Sequence, residues 1–252
     1  EFVQRDLTKY VIEISRKTNP DYHGDEEEKH WLYFVNRPHP SVKTIEKYFN
    51  EAAKEFGVPA EILKAIGYVE NNWTQIGPSI DGGWGIMHLV DNDYSQTLQQ
   101  AAKLLGLDPE VLKDNPRQNI RGAAALLAYH AGKKRSSLTD LEDWFEPVKQ
   151  ITGLIDDDTR EMAAELYFDA ICEGAVSSTL WNEKVKLEAH PNVSVKDKLV
   201  HKQRREKNTR AVDYPGAVDE LTTCNYSSRN GVAIDTWVNH YIGPGTIAGA
   251  LS

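Results

Sequence analysis

A helical apolar stripe that runs straight into an acid constrains this chain more than any other feature. Ile62, Leu63, Ile66 and Val69 recur at three- and four-residue spacing. Glu70 follows four residues after Ile66 and seven after Leu63, so it continues the same face. Beyond Asn71-Asn72-Trp73 comes Gly77-Pro78-Ser79-Ile80-Asp81-Gly82-Gly83, which is turn chemistry and not helix interior. The chain must therefore bend just past the carboxylate, leaving Glu70 at the lip of its helix with Trp73 and Trp84 flanking the turn. Carboxyls that lose hydration favour their proton-bearing form, the state in which a carboxylic acid donates to a glycosidic oxygen.

The surrounding sequence is helical in period. Ser41 is an N-cap signal, followed by Ile45, Tyr48, Phe49 and Ala52, and Gly57 closes that helix. Pro59 suits the first turn of the next. Tyr94–Leu105 carries Leu98, Ala101, Ala102 and Leu105 on one face. Asn115-Pro116 opens a helix bearing Ile120, Ala123, Ala124 and Leu127, and the segments Leu138–Ile151 and Thr159–Cys172 complete the set. The expectation is a mainly α chain with one helical domain over 41–176 and a short C-terminal β or irregular segment.

The flanks differ in character. Residues 1–40 read as an accessory segment, with a mixed strand-or-helix stretch at Leu7–Ile14, an acidic run at Asp25–Glu28 and prolines at 38 and 40. Lysines and arginines concentrate over 177–212, which reads as a solvated linker. From 213 on, Gly and Pro punctuate short β-branched runs such as Val232–Val238. A net charge of -9 argues against a nucleic-acid partner. No apolar run reaches the ~20 residues of a membrane helix. The two cysteines, Cys172 and Cys224, have no metal spacing and are equally readable as a disulfide or as free thiols. Because the chain opens on Glu1, a signal peptide removed in processing is compatible with it.

Three segments share a pattern. Ile62-Leu63-Lys64-Ala65-Ile66-Gly67-Tyr68-Val69-Glu70-Asn71-Asn72-Trp73 resembles the catalytic-helix motif of the soluble lytic transglycosylase and goose-type lysozyme superfamily. Gly83-Trp84-Gly85-Ile86-Met87-His88-Leu89 resembles its glycine-rich G-x-G-[LI]-M-Q-L segment, and Asn119–Leu127 its following N-I-x-x-G-x-x-L-L helix. The resemblance covers roughly 41–176 and implies a lysozyme-like fold, peptidoglycan glycan strands as substrate, no cofactor, a monomer, and a secreted or cell-envelope location. It implies Glu70 as the catalytic acid, with Trp73, Trp84 and His88 lining the sugar cleft and Tyr68, Asn71 and Met87 as further substrate-binding candidates. Gly85 would let backbone approach the sugar, Met87 would line the cleft floor or fill core, and Gly122 would allow close helix packing. Asn71 stands where the family commonly has Ser, and His88 where it has Gln. The family's late Y-N-x-G motif has no counterpart Tyr near Ile151, and the local look-alike Tyr129-His130-Ala131-Gly132 comes too early.

A hydrolase of this kind needs a second carboxylate, for which Asp81 and Asp91 are the candidates, with Asp93 nearby. A lytic transglycosylase uses one Glu as acid and then base while the muramyl 6-hydroxyl attacks from within the substrate. The single-Glu reading is favoured. Tyr214-Pro215-Gly216, Cys224–Ser227, Val238-Asn239-His240 and Ile247–Gly249 resemble the opening of a type-2 N-acetylmuramoyl-L-alanine amidase, a zinc-dependent family, with His240 near its first zinc-ligand position. Zinc would matter only to a complete amidase domain. The rival readings are a hydrolytic lysozyme, a non-catalytic glycan-binding module of an amidase parent, and an interaction domain.

Overall fold

The computed structural model describes residues 2–4, 32–79 and 81–195. The expectations placed on Leu7–Ile14, Asp25–Glu28, Cys224, Val232–Val238 and His240 lie outside these. Helix α1 (Val42–Phe56) is capped by the Ser41 side chain, which accepts from the Thr44 N–H, and it stops at a left-handed Gly57. Helix α2 (Ala60–Asn71) starts after Pro59 and ends at a left-handed Asn72, whose N–H returns to the Gly67 and Tyr68 carbonyls. Strands β1 (Phe2–Val3) and β2 (His39–Pro40) form a short antiparallel pair, as do β3 (Gly83–Trp84) and β4 (Leu89–Val90) beyond the turn. Helix α3 (Thr97–Leu105) begins three residues later than its apolar face suggests, because Asn92 Oδ1 accepts from the Tyr94 and Ser95 N–H groups and holds them in a turn.

Helices α4 (Pro109–Asp114) and α5 (Pro116–Ala131) start on the side-chain caps Asp108 and Asn115. α5 is the centre of the domain. Ile120, Ala123, Ala124, Leu126 and Leu127 are fully buried, and it packs against α1, α3 and α4. The segment 138–151 is not one helix. Two 3-10 stretches, Gly132–Ser137 and Leu141–Trp144, precede the short α6 (Phe145–Lys149). A reciprocal cap between Asp140 and Asp143 restarts the chain there, so the apolar period survives while the helix does not. Helix α7 (Asp157–Glu173) then lies along α2 and α6.

Residues 177–195, expected to be linker, are part of the fold. Strands β5 (Ala175–Ser178) and β6 (Lys184–Leu187) form an antiparallel hairpin, and Val185, Leu187, Val193 and Val195 join the main core. Lys184-Val185-Lys186-Leu187 is an alternating strand pattern whose lysines gave it the look of a charged connector. The hairpin loop also reaches the N-terminal side, where Trp181 stacks on His39 at 4.1 Å. His39 Nδ1 donates to the Pro40 carbonyl and Nε2 accepts from the Gln75 N–H. Burial pushes its pKa down to about 4, so the ring is neutral in the fold.

Two outcomes are expected. A Cβ on Gly122 would sit 2.9 Å from Leu112 Cδ2 and 3.1 Å from the Ala101 methyl, so Gly122→Val costs about 1–3 kcal/mol in denaturant unfolding. His39 has a folded pKa below its unfolded value of 6.5, so its stabilisation is present above pH 6.5 and lost as pH falls towards 4. The wild type should lose on the order of 3 kcal/mol relative to His39→Gln between those limits, measured by urea titration at each pH.

Candidate active site

The site is assembled where α2 ends. Glu70 is the penultimate residue of α2, and its side chain is 21% exposed. Its Oε1 accepts a hydrogen bond from the Tyr167 hydroxyl on α7, and its Oε2 lies 3.5 Å from His88 Nδ1. Tyr167 is only 3% exposed, and burial, reinforced by the negative charge of Glu70, pushes its pKa well above the phenol's ordinary value. It therefore remains an O–H donor. The domain thus carries a tyrosine beside the acid after all, delivered from α7 and not from the position of Ile151, which is buried. Sequence reasoning missed it. The available signal was a phenol inside the buried stripe Ala164, Phe168 and Ile171, where a hydroxyl needs a partner.

On its other side His88 meets the turn. Nε2 lies 2.8 Å from Ser79 Oγ and 3.1 Å from Asp81 Oδ1. Ser79 Oγ donates to Asp81 and accepts from the Gly83 N–H. Burial would lower the His88 pKa, but Glu70 and Asp81 outweigh it and bring it up to about 9. For Asp81 burial acts upward, yet the bonds and charge of His88 together with the Ser79 bond hold it well below the usual carboxylate range. His88 adopts a left-handed backbone, φ 49°, which is strained for a side-chain-bearing residue and is held by the surrounding loop. Gly83 makes room for the imidazole, since a Cβ there would lie 2.1 Å from His88 Nε2.

Two buried amides fix the loop. Asn119 on α5 accepts from the Met87 N–H and donates to the Trp84 and Leu112 carbonyls. Gln75 accepts from the Ile86 N–H and donates to the Leu112 and Lys113 carbonyls. Gly85, at φ 76°, is needed because a Cβ there would strike the Asn119 amide at 2.3 Å. The glycine thus has a packing role at Asn119. Asn71 Nδ2 donates to the Gly85 carbonyl at 2.6 Å and so ties the end of α2 to the loop.

Several expected cleft residues stand elsewhere. Trp73 is a core residue, 1% exposed, tilted against Phe49 at 5.1 Å and donating its indole N–H to the Lys64 carbonyl. The left-handed turn at Asn72 and Trp73 swings the ring inward instead of into the cleft. Met87 is also buried, with its sulfur near Gly67. Trp84 is partly exposed and carries the Lys113 ammonium 4.6 Å above its ring. Tyr68 is half-buried next to the acid in sequence. Asp91 pairs with Lys113 at 3.3 Å and accepts from Gln99, while Asp93 is exposed. Pro78, Ser79, Asp81, Trp84, Tyr94 and Lys113 line a surface groove of about 630 Å³ beside the turn. Among the described residues there is no His, Cys, Asp and Glu cluster fit for a metal ion.

Within this helical domain an acid at a helix end faces a glycine-rich loop held by a buried Asn. Residues 47–146 match the family described as Transglycosylase SLT domain. A relative from Alkalilimnicola ehrlichii, called membrane-bound lytic murein transglycosylase F 1, is 40% identical over 77 residues. That stretch covers 31% of this chain and 13% of the relative. No helix among the described residues is long and apolar enough to cross a membrane.

Removing the amide should show how much the loop depends on it. Asn119→Ala takes the Asn119 Oδ1 acceptor from the buried Met87 N–H and removes one bond to the Trp84 carbonyl, and a loss of about 1–3 kcal/mol in unfolding free energy is expected by calorimetry or urea titration.

Proposed function

We propose that this chain cleaves the β-1,4 bond between N-acetylmuramic acid and N-acetylglucosamine in peptidoglycan as a lytic transglycosylase. The observation that carries the reading is the Glu70 carboxyl at the end of α2, one oxygen held by Tyr167 and the other facing His88, inside the span that matches the SLT family. Glu70 in its acid form protonates the leaving glycosidic oxygen as the anomeric bond breaks. The resulting carboxylate takes the proton of the muramyl 6-hydroxyl as that oxygen attacks the anomeric carbon, giving a 1,6-anhydro end. The attacking group is already part of the substrate, so no second carboxylate is required to position water. Tyr167 holds one carboxyl oxygen and leaves the other to exchange the proton.

The commitments of the other acids favour this outcome over hydrolysis. Asp81 shares His88 with Glu70, and its Oδ1 is engaged by Ser79 and His88. Asp91 is held by Lys113 and Gln99. A glycan-strand substrate puts the site of action outside the cytoplasm. The amidase reading of 213–252, with His240 as a zinc ligand, concerns residues outside those described. It remains a proposal for the parent protein, tested by zinc content and by free stem peptide.

The test is mass spectrometry of muropeptides released from purified peptidoglycan. Wild type should give products one water lighter than reducing-end muropeptides. Glu70→Gln should fold normally by circular dichroism and release about a thousandfold less. Reducing ends would mean a hydrolase. No product from folded wild type would leave a glycan-binding module.

A further inference from the structure

We propose that His88, anchored through Ser79 and Asp81, is the proton store of Glu70, holding on Nδ1 the proton that the acid spends and regains in each turnover. The inference rests on the reading of Glu70 as the acid. Its basis is the direction of the hydrogen bonds around the imidazole. Ser79 has a single hydroxyl proton, and its recorded acceptors are Asp81 Oδ1 and, farther off at 3.3 Å, the Gly83 carbonyl. The same hydroxyl oxygen already accepts from the Gly83 N–H. Nε2 faces this oxygen at 2.8 Å and Asp81 Oδ1 at 3.1 Å, both acceptors, so Nε2 carries a proton in every charge state of the ring. The proton that comes and goes is therefore on Nδ1, which lies 3.5 Å from Glu70 Oε2. Such contacts shorten when substrate excludes water from the site.

Among the described residues, three charged or titratable groups bear on His88 and Glu70 or form the pair itself. Glu70 comes from α2, Asp81 from the turn, and Tyr167 from α7 behind Glu70. Before reaction the imidazolium Nδ1–H stands against the Glu70 carboxylate. Transfer of that proton to Oε2 gives a neutral imidazole and a carboxylic acid, with no change in total charge. Glu70 then passes the proton to the leaving oxygen, recovers one from the 6-hydroxyl, and can return it to Nδ1. Asp81 makes the store possible by balancing the ring's charge, and a Cβ at residue 83 would fill the space the ring occupies. His88 acts through Glu70 and not on the sugar, which makes it a positioning residue. This differs from a role for His88 in binding the substrate acetamide.

Nitrogen-15 NMR of labelled histidine in the full chain tests it, titrated from acid to alkaline pH in wild type, Glu70→Gln and Asp81→Asn. The expected wild-type result is Nε2 protonated throughout and Nδ1 deprotonating at about 9, against 6.5 for an ordinary histidine. Each variant should lower that midpoint at least tenfold in proton affinity, about one pH unit. A neutral ring with its proton on Nδ1, or a midpoint unmoved by Glu70→Gln, overturns the proposal. In the cleavage assay the alkaline limb should follow the same midpoint. His88→Gln should move that limb towards acid while sparing cleavage at low pH, whereas a merely structural role would depress the rate at every pH. Expected NMR behaviour with no muropeptide released would uphold the His88–Glu70 proton pair and reject glycan cleavage.

Discussion

Two buried side-chain amides hold the site together. Asn119 and Gln75 between them bind the Trp84 carbonyl and the Ile86 and Met87 N–H groups and join them to the end of α4. A loop this rich in glycine has few side chains of its own to bury and large conformational freedom to lose. Backbone polar groups buried within it would be costly if unpaired. The amides meet that cost from outside the loop, and α5, the most buried helix, supplies the rigid base for one of them. His88, Asp81 and the partly exposed face of Trp84 all hang from this loop, so their distances to Glu70 depend on contacts made away from the carboxylate.

Much of this architecture could be read from residue pattern. The stripe through Ile62, Leu63, Ile66 and Val69 gave α2 and put Glu70 at its end, and the turn residues gave the break beyond it. Helix starts were legible where a side chain caps them, as at Ser41 and Asn115. Pattern failed where apolar period and backbone conformation part company. Over 138–151 the period persists through a 3-10 stretch and a short helix, and at Thr97 an asparagine turn delays the helix. In Lys184–Leu187 the charges masked an alternation of two.

Within the site, residue type alone did not separate cleft from core. Trp73 and Met87 are flat or apolar residues next to an acid, which suits either place, and a left-handed turn put Trp73 in the core. Gly85 was legible as a close approach, and a Cβ there would meet the Asn119 amide. Tyr167 lies 97 positions from Glu70, beyond the reach of any local spacing argument. Its partner is set by how α7 lies along α2. The two histidines make the same point through opposite surroundings. His39, enclosed by Trp181, the Pro40 carbonyl and Gln75, is held neutral, while His88, enclosed between carboxylates, is held charged.

The place of Tyr167 also separates two kinds of boundary. Similarity to the SLT family ends at residue 146, whereas the hydroxyl on the acid comes from residue 167. The β5–β6 hairpin that follows grips Asn72 at the end of the acid's own helix, through Ser177 and the Ser178 carbonyl. The stretch matched by sequence is therefore shorter than the set of residues packed around the Glu70 carboxyl, which takes in α7 and the hairpin behind it.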